Sequence, residues 1–268
     1  MKILYMKILY MKILLLILFV IFIILINYNI NESFSNDLKI NVITSFYVVN
    51  KNQDRTNELK KSLQNNINHK YVEKVYLFLD KKQDKDYINK NITDPENKII
   101  IYNIGKQPLY SDLFKCANEL EDKICMVTNS DIWLYPFNDI CERLIDLLNK
   151  QENIVYILTR HEHDLSSPWI DTGTNGYDSF IFKSNINDNI INNTKHKQNV
   201  LGSENVVKGH LLKNNYKLYN PCKNIKIIHE HKSEYRTYND EHMTDYSDGD
   251  ELRKIPLISA KDILKIYN

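Results

Sequence analysis

Apolar and polar positions divide this chain into one continuous greasy run and a long stretch of short periodic segments. Residues Ile13 to Ile26 are apolar without a break, and no charge occurs between Lys12 and Glu32. Beyond them, Leu38 to Tyr47 reads as a buried strand and Asp54 to Ile67 as a helix with Leu59, Leu63 and Ile67 on one face. Val72 to Leu79 is a second strand, Lys81 to Lys98 a polar loop, and Lys98 to Asn103 a third strand. Tyr110 to Glu121 has helical spacing, Ile124 to Thr128 is a fourth strand, Pro136 to Asn149 a helix and Ile154 to Thr159 a fifth strand. Tyr177 to Lys183 alternates as a strand does, and Asn185 to Asn199 is an Asn- and Lys-rich loop. Ser203 to Lys213 is helical, Tyr216 to Tyr219 and Lys226 to His229 are short strands, and the end of the chain reads as a surface tail closing in a short helix.

Strands alternating with helices predict an α/β domain, with a mostly parallel sheet flanked by helices. Ligands of such sheets sit beyond the carboxyl ends of the strands. The positions to inspect are therefore Tyr47, Asp80, Asn103 to Tyr110, Asn129 to Asp131 and Arg160 to Asp164.

The greasy run reads as an address. Met1 to Tyr10 is the pentad Met-Lys-Ile-Leu-Tyr written twice, and its lysines precede the run while acids follow it. The 19 uncharged residues 13–31 reach roughly 28 Å as a helix, close to a bilayer core. The charge order keeps the N-terminus cytoplasmic. A cleaved signal peptide, with Ser33-Phe34-Ser35 near the cut, is the alternative. The expected organisation is a leader over 1–12, a signal-anchor over 13–31, a stem over 32–38, a catalytic domain over 39–238 and a tail over 239–268.

Composition narrows the function. The 268 residues hold 35 Lys and Arg against 34 Asp and Glu, and without residues 1–12 the balance is about −2. A nucleic-acid binder would carry a basic excess. With 43% hydrophobic residues the chain is no disordered segment. Cys116, Cys125, Cys141 and Cys222 are scattered without metal-binding spacing, so buried free thiols are expected, with one or two bridges as the alternative. No dinucleotide, P-loop or nucleophile-elbow motif occurs.

Five constellations are left to carry chemistry. Asn129-Ser130-Asp131 follows an apolar strand, where a carboxylate can hold a hard cation, although the same triplet is ordinary turn chemistry. His229 and His231 alternate onto one face, and two imidazoles there suit one metal ion. Arg160-His161-Glu162-His163-Asp164 contains an HxHxD run, the basis of a rival reading as a metal-dependent hydrolase. Asp171, Asp178 and Glu204 offer a carboxylate to take a proton from an acceptor hydroxyl. Tyr47 and Arg55 supply a stacking ring and a bidentate phosphate donor.

The ordered series SFY with Arg55-x-x-Glu58-Leu59, LFLD to Asp80, YSDLF from Tyr110, TNSDIWL from Thr128, YDSFIFK, LGSEN, NYKLYNP and HEHKSEYRTY resembles glycosyltransferases of the GT-A type, in particular predicted sugar transferases of large DNA viruses and algae. The resemblance spans roughly residues 39–238. It implies a GT-A-like sheet and transfer of a sugar from a nucleotide-sugar donor to a hydroxyl of a glycan or protein. It implies that Tyr47, Arg55, Asp80, Lys106, Asp112 and Asn129 line the donor site. Asp131 with His229 and His231 would hold Mn²⁺ or Mg²⁺, and Asp178 or Glu204 would be the acceptor-side base. Two departures stand out: Asn129 replaces the first acid of the DxD motif, and Lys106 stands where an Arg is expected before Tyr110. They leave room for weak metal dependence or for an inactive sugar-nucleotide-fold binding protein.

Overall fold

The computed structural model describes residues 11–23, 38–167, 176–235 and 255–267. Two units are distinct, residues 1–38 and residues 39–268. In the first, residues 11–23 form helix α1 with every side chain exposed. Among the described residues no helix is long and apolar enough to cross a membrane. Residues 24–31 of the expected anchor, and the stem up to residue 37, lie outside the described residues.

The second unit is built on strands β1 (Ile40–Phe46), β2 (Val72–Leu79), β3 (Ile99–Asn103), β4 (Ile124–Thr128), β6 (Ile154–Thr159), β8 (Tyr177–Lys183) and β9 (Lys217–Tyr219). They form one sheet in the order β3-β2-β1-β4-β8-β6-β9. All pairings are parallel except those of β8, which runs antiparallel to both β4 and β6. The near-continuous apolar sequences of β1, β4 and β6 follow from burial on both faces. Helices α2 (Gln53–Asn68), α3 (Lys82–Asn91), α4 (Tyr110–Asn118) and α5 (Asp139–Lys150) connect the strands. Asn52 caps α2 by accepting the Arg55 N–H at 2.8 Å, and Asn138 does the same for α5. Tyr110, Phe114, Phe180 and Phe182 stack between α4 and the sheet as its largest aromatic cluster.

A small second sheet positions the late histidines. Strands β5 (Ile132–Leu134), β7 (His161–Glu162) and β10 (Ile227–His229) pair in the order β5-β10-β7. Asn66 of α2 fixes β5, donating to the Ile132 carbonyl at 2.9 Å and accepting the Leu134 N–H at 3.0 Å. Antiparallel register sets His229 opposite Ile132, and parallel register sets it beside Glu162.

Three expectations from the sequence need correction. Lys81–Lys98 is not a loop, since α3 lies within it. Its polar composition hid a helix that buries only Asp84 and Ile88. The loop over 185–199 contains the short helix α6 (Asp188–Asn193), which buries Ile190 and Ile191. Helix α7 (Ser203–Lys213) follows, entered through Gly202 at φ 84°, where a side chain would be strained. The end of the chain is no free tail. Helix α8 (Ala260–Tyr267) buries Ala260 and Ile263, and the Ile255 N–H donates to the Tyr177 hydroxyl at 2.9 Å. All four cysteines are free and buried.

Candidate active site

A cavity of about 590 Å³ opens at the carboxyl edge of the parallel strands. β1 delivers Tyr47 to it, β2 delivers Asp80, β4 delivers Asn129 to Asp131 and β6 delivers Arg160. Because β8 is antiparallel, its start lies at the same edge, so Asp178 joins them. Glu204, at the start of α7, lines the opposite wall, and His229 and His231 line the wall from the small sheet.

Asp131 is the electrostatic centre. One oxygen, Oδ2, is approached by Arg55 at 2.6 Å, by His229 Nε2 at 3.3 Å and by His231 Nδ1 at 3.5 Å. The strand pairing explains the convergence, because the Glu230 N–H donates to the Asp131 carbonyl at 2.8 Å and places a histidine on either side. Burial opposes the Asp131 charge, but hydrogen bonds from both histidines and the Arg55 charge hold its carboxyl well below the usual range. Burial likewise opposes a charged His229, yet Asp131 and Glu162 outweigh it and raise the imidazole to about 9. Among the described residues, Asp131, His229 and His231 form the one group of three His, Cys, Asp or Glu whose ligand atoms lie within 4.8 Å of one another. Two imidazoles and a carboxylate at that spacing fit a divalent cation of the Mn²⁺ type.

Arg55 is held from behind by Glu58 at 3.0 Å. Glu58 also accepts the N–H groups of Lys232 and Ser233 at 2.7 and 2.6 Å and the Ser233 hydroxyl at 3.0 Å, so it fastens the segment carrying His231. The sequence places Glu58 in the Arg55-x-x-Glu58-Leu59 series, three residues from Arg55 on one helical face, without assigning it a role.

On the other side of the cavity, Arg160 reaches both oxygens of Asp178 at 3.2 Å and Glu162 at 3.3 Å. Glu162 in turn contacts His229 Nδ1 at 3.1 Å. Asn129 donates to Asp178 at 3.0 Å and receives the Gln198 amide at 3.2 Å. Asp178 is buried, and burial pushes its carboxyl up while Arg160 pulls it down. Glu204 opens partly to the cavity but is otherwise enclosed by protein, and that burial, with the Asp178 charge, raises it to about 8. Arg160 and Glu162 belong to the run singled out for other chemistry and Gln198 carries no motif; their contacts with Asp178, His229 and Asn129 join positions distant in sequence.

Tyr47 and Asp80 line the cavity as expected. Asp80 lies beside Asp84, one oxygen of which accepts the Val48 N–H at 3.0 Å while the other is buried without a partner among the described residues. Lys106 and Asp112 are not part of the wall. They pair at 3.3 Å, and Asp112 accepts the Leu109 N–H at the start of α4, so its carboxylate serves as a helix cap. Arg55 also lines the cavity, where its guanidinium pairs with Asp131 at 2.6 Å. The HxHxD run does not assemble: His161 is buried in β7, while the Asp164 side chain accepts the Ser166 N–H at 2.9 Å. Most of the Asp171 to Gly176 loop lies outside the described residues.

No protein-family model matches the chain, and no curated protein is similar to it in sequence. Solved structures are similar in fold. GalNAc-T7 with UDP, GalNAc and Mn²⁺ superposes with a TM-score of 0.50 at 11% identity, over 78% of this chain and 46% of that one. Mannosyltransferase PcManGT from Pyrobaculum calidifontis, in complex with GDP-Man and Mn²⁺, gives 0.50 at 10% identity, over 74% of this chain and 58% of that one. The chain thus spans about half the length of these solved proteins, and the likeness establishes a fold of the GT-A type.

Proposed function

We propose that this chain is a glycosyltransferase that moves a sugar from a nucleotide-sugar donor to a hydroxyl of a glycan or protein, with a divalent cation bound by Asp131, His229 and His231. The observation that carries the reading is the meeting of these three side chains on one oxygen at the carboxyl edge of a GT-A-type sheet. When bound, the cation supplies positive charge to the leaving diphosphate. Tyr47 offers a ring for the nucleobase, and Asp80 an acceptor at its edge.

Asp178 is the better-placed base. Arg160 contacts both of its oxygens and favours the ionised form that accepts the proton of an attacking hydroxyl. As that hydroxyl oxygen bonds to the anomeric carbon, the bond from that carbon to the diphosphate breaks. Glu204, protonated at neutral pH by its surroundings, serves as a donor to a sugar or acceptor oxygen. The uncharged run over 13–31 behind three lysines supports a single-pass anchor with the catalytic unit across the membrane, cleavage near Ser33 being the competing outcome. A hydrolase built on His161, His163 and Asp164 loses its support, because those side chains do not gather into a ligand group.

The test is a thermal-shift and turnover screen of the full chain against UDP-, GDP- and CMP-sugars with and without Mn²⁺. Stabilisation by one nucleotide class that deepens with Mn²⁺, followed by release of its diphosphate, is expected. Absence of both responses across all donors would remove the transferase reading.

A further inference from the structure

Asn129 occupies the first position of the acid-x-acid pattern, where an Asn looks like a lost cation ligand. Its surroundings say otherwise. The side-chain amide donates to Asp178 Oδ1 at 3.0 Å, and Glu204 lines the same cavity. The carbonyl end is occupied in turn, receiving Gln198 Nε2 at 3.2 Å, and Gln198 is itself fixed on the Thr128 carbonyl at 3.1 Å. The amide orientation is therefore set from both ends: a donor faces Asp178, and an acceptor faces an amide.

We infer that Asn129 is a positioning residue for Asp178, and that the amide is required there because an acid at this position would face the Asp178 carboxylate. A carboxylate at 129 would put an oxygen near 3 Å from Asp178 Oδ1 with no hydrogen between. Like charges at that distance repel strongly in a site shielded from water. Arg160 already has Asp178 and Glu162 to neutralise. Restoring the acidic motif by N129D then weakens the site.

The pairing argument stands independently of the function proposed above, while the cation argument rests on the assignment of Asp131, His229 and His231. The experiment compares the full chain with N129D, D178N and the exchange N129D/D178N, measuring thermal midpoints and Mn²⁺ affinity by calorimetry. In the exchanged pair the amide and the carboxylate trade places, so a donor again faces an acceptor and Gln198 keeps its acceptor. N129D should lower the midpoint by about 5 °C or more, and the exchange should recover most of that loss. Mn²⁺ affinity should be no tighter in N129D than in the native chain. If N129D does not fold, the exchange variant decides, and its failure to fold as well overturns the inference. A midpoint unmoved by N129D, no recovery in the exchange, or Mn²⁺ bound about tenfold more tightly by N129D would each overturn it. A native chain that binds no Mn²⁺ would instead count against the proposed cation site, with the midpoints still deciding the role of Asn129.

Discussion

Arg55 and Asp131 meet at 2.6 Å inside the protein, on the same carboxylate oxygen that both histidines approach. A divalent cation at Asp131 must therefore compete with a buried guanidinium for that oxygen. Removing the guanidinium leaves Asp131 and Glu58 without their shared partner, which costs about 3–5 kcal/mol for a buried pair. R55M should thus be strongly destabilised without metal, and Mn²⁺ should recover part of the loss. The midpoint shift produced by Mn²⁺ should be larger in R55M than in the native chain. Equal shifts would mean that the arginine and the ion do not share a seat.

Asp131→Asn separates the two halves of the site. It keeps the size of the side chain but withdraws the charge that Arg55, His229 and His231 share. The Mn²⁺-induced midpoint shift should disappear, and sugar transfer should fall on the order of 10²–10³-fold. A variant that retains its Mn²⁺ response would move the cation site elsewhere.

Much of the sheet was legible because its central strands are apolar runs bounded by polar turns, as at Ile124 to Thr128 and Ile154 to Thr159. Helix α3 was not, because ten polar-rich residues that bury Asp84 and Ile88 show almost no apolar stripe. The cluster of Asp131, His229 and His231 was legible residue by residue, since Asp131 follows a strand and His229 and His231 alternate. What joins them is the pairing of three-residue and two-residue strands, β5, β10 and β7, which leaves no period to read. Lys106 and Asp112 were misplaced for a related reason: a charge just before a helix or in its first turn is equally a ligand or a capping group, and only the geometry chooses.

Glu58 predicts a local effect distinct from a global one. Its carboxylate accepts two backbone N–H groups and a hydroxyl from the segment that follows His231. E58A should cost about 2–4 kcal/mol, because charged hydrogen bonds are lost and Arg55 keeps only Asp131. Limited proteolysis should show faster cleavage around residues 231–235 at temperatures well below the midpoint. Uniform loss of stability with no new cleavage there would show that the segment is held by other contacts.

Asp84 gives the pH dependence. Burial, offset in part by the Val48 N–H and reinforced by Asp80, raises its carboxyl to about 6, above its ordinary 3.8. A raised acid binds its proton more tightly in the folded chain than in the unfolded one. Its contribution is therefore neutral at low pH and turns destabilising as pH climbs from about 4 to about 6, staying so above. In D84N the amide oxygen keeps the Val48 N–H and the buried charge beside Asp80 is removed. The variant should melt about 3 °C above the native chain at pH 7.5, with the gap closing towards pH 4. Thermal midpoints at pH 4, 5, 6 and 7.5 test this, and a gap independent of pH, or one that widens on acidification, would show that burial beside Asp80 does not raise the Asp84 carboxyl.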